Sequence, residues 1–242
     1  MTQEKPKADS QGQSYTPTYK PPLTELLARK YFFSSLGFIQ KNHQEAAEPL
    51  ITHKCDPSTS FDAATSAYGE ILLFKNKYFW QTQPAVADAK LTAIQDVWLG
   101  LPSNIDAACE IPEDDIIYFF KGTKFWAYNR YDLSQNSSQS ISLFGLPAYV
   151  KQIDAVIFIQ QTKKIIFFVG KMYWSYNEKI KTMDYGYPKQ INSNWPGIND
   201  KIDAALQSNG LFYFFSGPRL YEYDNWRKEI VRTLNSNKWL GC

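Results

Sequence analysis

The residues of this chain that are most capable of chemistry are one acidic run and three cysteines. Glu113, Asp114 and Asp115 are consecutive acids, and a pair of such groups can transfer protons in a hydrolase. They follow Pro112 in an apparent turn, however, and no set of partner groups for catalysis accompanies them. A solvated loop is therefore the preferred interpretation, and we identify no catalytic residue.

The three cysteines suggest one disulfide and one odd thiol. Cys55 lies just ahead of the repeated part of the chain described below, and Cys242 is the final residue. We predict a bridge between them, with two free thiols as the alternative. Such a bridge would stabilise the fold by on the order of 4 to 5 kcal/mol in the chain-entropy account. Cys109 is expected to be a buried, inert thiol rather than a reactive or intermolecular one.

The first 54 residues are predicted to form an N-terminal extension. Residues 23–35 follow a rough helical period after Pro22, which predicts a short amphipathic helix, and a poorly ordered segment is the alternative. Residues 1–20 are polar, so a secretory signal cannot be read from them. Asn136 begins an Asn-Ser-Ser acceptor for N-glycosylation, which has meaning only in an exported chain.

Composition favours strands and argues against two kinds of partner. Aromatic residues make up 16% of the chain, and their flat side chains pack well on a pleated sheet. The 26 basic and 24 acidic residues are interleaved, without the basic footprint that nucleic acid requires. The longest apolar runs fall far short of the roughly 20 residues of a membrane helix. We expect an all-β protein that binds no nucleic acid and does not span a membrane.

An Asp-Ala pair recurs four times along the chain, with 44, 48 and 49 residues between successive aspartates. After each pair come two aromatic strands joined by a short turn, and a Phe stands six residues ahead of a large aromatic residue in every copy. Glycine occupies three of the turns and Asn76 the first, as residues that tolerate a positive φ. The four pairs begin at Asp62, Asp106, Asp154 and Asp203.

A strand-built repeat of this length has the size of one propeller blade. We therefore predict a four-bladed β-propeller over residues 55–242, with blades at about 58–101, 102–149, 150–198 and 199–242. A ring of blades must be closed, because its first and last blades would otherwise expose faces and strand edges. Cys55 and Cys242 bracket the array as such a closure would.

The repeated segments resemble the hemopexin-like domain that ends the secreted matrix metalloproteinases, particularly the collagenase and stromelysin group. The resemblance covers about 55–242 and rests on the four Asp-Ala pairs and on further motifs. These are Phe119-Phe120-Lys121-Gly122, Tyr187-Pro188-Lys189-Gln190-Ile191, Trp195-Pro196-Gly197-Ile198, Phe214-Phe215-Ser216-Gly217-Pro218 and the ending Asn237-Lys238-Trp239-Leu240-Gly241-Cys242.

The resemblance implies a calcium ion in the central channel, with chloride as a further ion. In such domains the main-chain carbonyls of the repeated aspartates hold calcium, which suits a hard cation, and the residues two positions on line the same channel. Carried over to this chain, these are Asp62, Asp106, Asp154 and Asp203, with Ala64, Ala108, Val156 and Ala205 beside them. The alternative is that the aspartate side chains only form hydrogen bonds at the blade starts.

The chain departs from that family in the residues of catalysis. Its proteases carry a zinc motif with three histidines, usually His-Glu-x-x-His-x-x-Gly-x-x-His. This chain has only His43 and His53, and neither lies in such a motif. We expect no zinc site and no enzymatic activity, in a chain that looks like a fragment, a splice product or a degraded gene copy.

By resemblance, the expected role is an extracellular recognition module that binds collagen, other matrix proteins or the tissue inhibitors of metalloproteinases. One alternative is a part of a longer zinc metalloendopeptidase whose catalytic domain lies outside this chain. Haem carriage is disfavoured because both histidines precede the propeller. A purely structural or storage propeller is the third alternative.

Overall fold

The computed structural model describes residues 22, 25, 54–82, 89–129, 137–198 and 201–242. The predicted helix over 23–35, the two histidines and the acceptor Asn136 therefore lie outside the described residues, apart from Glu25. The described residues form a four-bladed, nearly all-β propeller, which confirms the predicted fold class. They contain no helix that is both long enough and apolar enough to cross a membrane.

Each blade is an antiparallel sheet whose first four strands follow one another in chain order from the inside outwards, and the fifth strand of blade 3 pairs with the third. Blade 1 contains β1 (Ala63–Ala67), β2 (Glu70–Lys75), β3 (Tyr78–Thr82) and β4 (Lys90–Ala93). Blade 2 contains β5 (Ala107–Ile111), β6 (Ile116–Lys121), β7 (Lys124–Asn129) and β8 (Gln139–Ser140). Blade 3 contains β9 (Ala155–Ile159), β10 (Lys164–Val169), β11 (Met172–Asn177), β12 (Thr182–Met183) and β13 (Lys189–Gln190). Blade 4 contains β14 (Ala204–Ser208), β15 (Leu211–Ser216), β16 (Arg219–Asp224) and β17 (Glu229–Asn235).

A short helical turn follows the outermost strand of every blade. Blades 1 and 3 end in the helices α1 (Ile94–Val97) and α2 (Ile191–Asn194), and blades 2 and 4 end in 3₁₀ turns at Ile141–Phe144 and Ser236–Leu240. A glycine with positive φ caps each 3₁₀ turn and follows each helix by three residues, where the chain takes a left-handed conformation. These glycines are Gly100, Gly145, Gly197 and Gly241.

Aromatic rings fill the seams between neighbouring blades. Adjacent phenylalanines on the second strand point to opposite faces of the sheet, so one ring packs against the preceding blade and the other against the next. Phe119 meets Phe74 of blade 1 at 5.7 Å between ring centroids, and Phe120 meets Phe167 of blade 3 at 5.7 Å. The alternation explains why the repeat is rich in aromatic pairs, since every blade has two buried faces.

The ring closes between blades 4 and 1. The predicted bridge is present: Cys55 and Cys242 form a disulfide with their Cα atoms 5.4 Å apart. Around it, the Asn237 side-chain amide donates to the Asp56 carbonyl at 2.9 Å, and the Thr82 hydroxyl donates to the Trp239 carbonyl at 3.0 Å. Covalent and non-covalent contacts therefore close the same seam.

Candidate channel site

The four innermost strands β1, β5, β9 and β14 surround the propeller axis, and each one neighbours the next around the ring. Each pairs with a strand of its own blade on one edge, which leaves its other edge towards the axis. Alternate main-chain groups of an antiparallel strand point to opposite edges. The inner strands therefore present main-chain carbonyl and amide groups to the channel between them.

The four repeated aspartates stand one residue ahead of these strands and make the same two hydrogen bonds in every blade. The main-chain amides of Asp62, Asp106, Asp154 and Asp203 donate to the carbonyls of Phe74, Phe120, Phe168 and Phe215 at 2.8 or 2.9 Å. Their carboxylate Oδ2 atoms accept from the main-chain amides of Asn76, Gly122, Gly170 and Gly217, at 2.8, 2.6, 2.6 and 2.8 Å respectively.

These amides belong to the first central residue of the turn between the second and third strands. That residue has positive φ in all four blades, for example 56° at Asn76 and 55° at Gly122. The carboxylate satisfies a turn amide that no strand partner would reach. The aspartate side chains therefore do make the local hydrogen bonds that the sequence offered as an alternative, and this leaves their main-chain carbonyls as the candidate ion ligands.

Lysines partly neutralise the four repeated aspartates, Asp62, Asp106, Asp154 and Asp203, which we call the aspartate ring. Lys75 Nζ lies 2.9 Å from Asp62 Oδ1, and Lys201 Nζ lies 3.0 Å from Asp154 Oδ1 and 3.4 Å from Asp203 Oδ1. Burial opposes the charge on Lys201, but the two carboxylates hold its pKa above the ordinary lysine value. The lysine charges therefore pair with the aspartate carboxylates. They do not take the place of a cation at the main-chain carbonyls.

The pKa of the Asp106 carboxyl is raised. Burial raises the pKa of this carboxyl above its usual value, and the charges of Asp154 and Asp62 raise it further, against the Gly122 amide and Lys121. The aspartates share one end of the channel, because each one directly precedes an inner strand.

The donor set fits a hard cation held by neutral oxygens. In the described residues, no group of three or more His, Cys, Asp or Glu side chains is arranged to hold a metal. Calcium accepts main-chain carbonyls as ligands, so such a side-chain cluster is not required. Ala64, Ala108, Val156 and Ala205 are all buried on the inner strands.

A polar cavity of about 130 Å³ lies at the opposite ends of the inner strands. It takes its lining from all four blades, including Ser66, Glu110, Gln160 and Gln207, and it also touches Ala108, Val156 and Ala205. Sequence reasoning did not find this cavity. Ser66, Glu110 and Gln207 are each the fourth residue of an inner strand, but they differ in residue type, so the Asp-Ala repeat does not reveal them.

The other residues considered from the sequence lie apart from the channel ends or within the core. Glu113 and Asp114 are exposed in the β5–β6 turn, where Glu113 pairs with Lys163, as expected of a solvated loop. Cys109 is buried and free, and burial holds the pKa of its thiol well above the usual value. Most tryptophans are buried, but Trp226 is 95% exposed.

Comparison with known proteins identifies similar repeats and similar folds. The family model described as Hemopexin matches residues 61–103, 105–148, 153–200 and 202–242. Matrix metalloproteinase-18 of Xenopus laevis is 40% identical over 225 residues, covering 93% of this chain and 47% of the relative. Neutrophil collagenase of Homo sapiens is 39% identical, covering 84% and 43%, and stromelysin-1 of Equus caballus is 41% identical, covering 78% and 39%.

This chain spans less than half the length of each of those relatives. The match to the Xenopus protein covers so much of the chain that it includes most of the segment before Cys55. Among solved structures, the hemopexin fold protein CP4 from cow pea has a TM-score of 0.63 at 17% identity, covering 75% of this chain and 95% of that protein. At that identity the likeness is one of fold.

Proposed function

The chain belongs to the Hemopexin family as a non-catalytic module of the matrix metalloproteinase type, and from this premise we propose that it is an extracellular module that binds collagen or other matrix proteins. The observation that carries the proposal is the pattern of relatives, which includes a collagenase and a stromelysin at about the same identity. Tissue inhibitors of metalloproteinases are the other partner class for the same module.

Exposed apolar side chains on the blade rims are the candidate contact residues for such a partner. Binding energy concentrates in a few large side chains, with tryptophan and tyrosine prominent among them. Trp226 stands at the tip of the β16–β17 turn, where the Asp224 carboxylate accepts from its main-chain amide at 2.8 Å and from that of Arg227 at 3.0 Å. A turn held in this way presents the ring at little cost in conformational entropy. Tyr185 on blade 3 is also fully exposed.

The test is surface binding of the oxidised chain to triple-helical collagen, with heat-denatured collagen and a tissue inhibitor on parallel surfaces. We expect saturable binding to at least one of these surfaces. Trp226→Ala should weaken this binding about tenfold or more if Trp226 is an anchor. Tyr185→Ala removes an exposed aromatic ring from another blade and shows which of the two blades makes the contact. Saturable binding to none of the three surfaces would contradict the proposal.

We also propose that calcium binds at the aspartate ring through the main-chain carbonyls of Asp62, Asp106, Asp154 and Asp203, with chloride further along the channel. When bound, the ion would link the four blades at the axis and stabilise the native ring. Calcium at about a hundred times its dissociation constant should raise the free energy of unfolding by about 2.7 kcal/mol. An unfolding midpoint that does not respond to a calcium chelator would contradict the site.

Two single-charge variants distinguish this site from calcium bound elsewhere. Lys201→Gln removes the cation between Asp154 and Asp203, so calcium affinity should rise. Asp106→Asn keeps an acceptor for the Gly122 amide but removes one charge from the ring, so affinity should fall. Calorimetric titration of the two variants should therefore move in opposite directions, and equal affinities would place calcium elsewhere.

A second candidate function is favoured by the coverage of the relatives. Because the chain corresponds to less than half of each, it can be one part of a longer zinc metalloendopeptidase. In that case the module would direct the protease to its substrate. An antibody raised against this chain should then detect a species larger than the chain in the source tissue, and a species of the chain's own size would support the separate module.

A further inference from the structure

A second feature repeats at the end of the propeller that carries the aspartate ring. Each blade has a basic residue in or directly after the turn between its second and third strands, and successive members are 47, 47 and 48 residues apart. These residues are Lys77, Lys124, Lys171 and Arg219. No acidic residue lies in any of the four turns.

Contacts between blades join these turns into one surface. The aspartate carboxylates hold one main-chain amide in every turn, so all four turns lie at the same end of the channel. The amide of Asn104, in the segment that enters blade 2, donates to the carbonyl of Asn76 in the blade 1 turn at 2.7 Å. The carbonyl of Lys151, in the segment that enters blade 3, lies 3.9 Å from the place that a Cβ on Gly122 would occupy in the blade 2 turn. The surface therefore runs without a break from blade 1 to blade 3.

The basic side chains along this surface are accessible. Lys77, Lys124 and Lys171 are exposed, and the ammonium group of none of them forms a hydrogen bond or an ion pair with a described residue. Lys151 is also exposed, and its Nζ donates to the main-chain carbonyl of Ala148 at 2.7 Å, which leaves its charge unneutralised. We call Lys77, Lys124, Lys151 and Lys171 the basic track.

Basic residues outnumber acids at this end. The turns (75–78, 121–124, 169–172 and 216–219) and the entry segments (60–62, 102–106, 151–154 and 201–203) contain eight basic residues and four acidic ones. The four acids are the aspartate ring, whose carboxylates accept from the turn amides and in three cases also pair with Lys75 or Lys201. A further acid, Asp96 of α1, lies near the blade 1 turn: burial and then its charge raise the pKa of Tyr78.

The turns at the opposite end of the inner strands have a different charge. The blade 2 turn carries Glu113, Asp114 and Asp115, and Lys163 of the blade 3 turn pairs with Glu113. The turns at 68–69 and 209–210 contain no charged residue. Basic and acidic residues are interleaved along the sequence, but the fold gathers an excess of basic residues at the aspartate end.

The basic track fits an extended anion better than a compact one. Its members lie on three blades, so a single phosphate or sulfate cannot contact all of them. A linear polyanion can contact them in turn, and it releases condensed counter-ions as it binds.

The side chains around the track favour a polysaccharide among linear polyanions. Single-stranded nucleic acid stacks successive bases on several aromatic rings, whereas the four turns expose no large apolar or aromatic side chain. For the same reason they offer no apolar face to a bilayer. Tyr149, which is 68% exposed and two residues ahead of Lys151, gives one ring against which a sugar can pack.

We propose that the basic track binds a linear sulfated polysaccharide of the extracellular matrix. The extracellular setting rests on the proposed function, but the surface is a different one. Trp226, the candidate anchor for a protein partner, lies in a turn at the other end of the blades. The chain can therefore hold a polysaccharide at one end and a matrix protein at the other.

The test titrates the full oxidised chain, at fixed calcium, with a heparin dodecasaccharide and follows binding by calorimetry at several salt concentrations. The desulfated dodecasaccharide is the control ligand. We expect saturable binding of the sulfated chain alone. The logarithm of its association constant should fall linearly with the logarithm of the salt concentration, with a slope of about −3 for four cations. Equal binding of the desulfated chain, or an affinity that does not depend on salt, would overturn the proposal.

Two variants with the same loss of charge locate the binding. The first removes three exposed lysines of the basic track: Lys77→Gln, Lys124→Gln and Lys171→Gln. The second removes three exposed cations from the opposite end of the blades: Lys90→Gln, Lys179→Gln and Arg227→Gln. The first should weaken heparin binding about tenfold or more and reduce the salt slope by about two, whereas the second should keep the wild-type slope. An equal loss in both variants would overturn the proposal.

Collagen binding by the first variant should stay at the wild-type level, so the polysaccharide site and the proposed function fail separately. If that variant does not fold, Gln152→Lys adds a cation at an exposed position beside Lys151 and should tighten heparin binding several-fold. An unchanged affinity in a folded Gln152→Lys variant would overturn the proposal. So would binding of single-stranded DNA, or of vesicles with anionic lipid, that is as tight as that of heparin and equally sensitive to the track lysines.

Discussion

Removal of the closing disulfide should produce a large and calculable loss of stability. Cys55 and Cys242 are separated by 187 residues. In the chain-entropy account, a bridge over a loop of this length lowers the entropy of the unfolded chain by about 18 cal/mol/K, equivalent to about 5 kcal/mol at 25 °C. For a domain of this size, such a loss lowers the unfolding midpoint by roughly 10 to 20 °C.

The native contacts at the seam should survive this change. The ring of Phe61 packs against Trp80 at 5.8 Å and Phe215 at 5.7 Å between ring centroids, and these contacts do not depend on the bridge. The Cys55→Ser/Cys242→Ser double variant should therefore still fold, and the lost stability should arise in the unfolded state. Its urea m-value should rise, because an unbridged chain exposes more surface when it unfolds.

Equilibrium urea unfolding, followed by tryptophan fluorescence, measures this loss. Wild type reduced with dithiothreitol is the matched control, and its stability should agree with that of the double variant to within about 0.5 kcal/mol. A double variant that is less than about 1 kcal/mol below the oxidised wild type would refute the reasoning. In that case residual contacts between the two ends of the chain would already restrict the unfolded state.

The remaining predictions concern single side chains. Cys109 should not react with a thiol reagent in the native chain and should react once after unfolding, because burial holds its pKa high. The pKa of Asp106 is raised in the native state, so the stability of wild type relative to Asp106→Asn should fall as the pH rises above about 4; parallel pH profiles would contradict this. Asp184 has the opposite sign: although burial opposes it, hydrogen bonds from Lys164 and Ser175 lower its pKa. Asp184→Asn should therefore cost about 1–3 kcal/mol at neutral pH, and denaturant titrations should show the loss shrinking below about pH 4. Gly122→Ala should cost about 1–2 kcal/mol because φ is 55° there, and an unchanged urea midpoint would argue against that backbone conformation.

The fold could be predicted from the sequence because each repeat corresponds to one blade. Phe74 and its equivalents stand at a fixed distance ahead of the next large aromatic residue, since both belong to one hairpin of constant length. The pairs Phe119-Phe120 and Phe167-Phe168 also signal two buried faces per sheet. A local pattern of this kind is enough to predict the packing, because strand alternation alone determines which face of the sheet each ring occupies.

The helical turns that end the blades carry a second repeated signal in the sequence. A large aromatic residue is followed closely by a glycine at Trp98-Leu99-Gly100, Phe144-Gly145, Trp195-Pro196-Gly197 and Trp239-Leu240-Gly241. The aromatic residue packs into a seam and the glycine takes the positive φ that reverses the chain. This second repeat lies within a few residues of the predicted ends of the blades.

The residues at the two ends of the channel could be predicted only in part. The aspartates repeat, so their common position at the start of the inner strands follows from the sequence. Glu110 and Gln207 stand at the same position of their inner strands, but the side chain at that position differs from blade to blade, and their partners Tyr68 and Gln160 lie on neighbouring blades. Such contacts depend on how far one blade is rotated against the next, and no local pattern records that angle.

The measurement that tests the account most directly is co-sedimentation of the oxidised chain with triple-helical collagen fibrils, followed by analysis of the collagen chains on a gel. The account predicts that the chain sediments with the fibrils in a saturable manner and that the collagen stays intact, as for a recognition module without protease chemistry. Cleavage of the collagen by the purified chain would contradict the account. A chain that stays in the supernatant and also fails to bind a tissue inhibitor would contradict it equally.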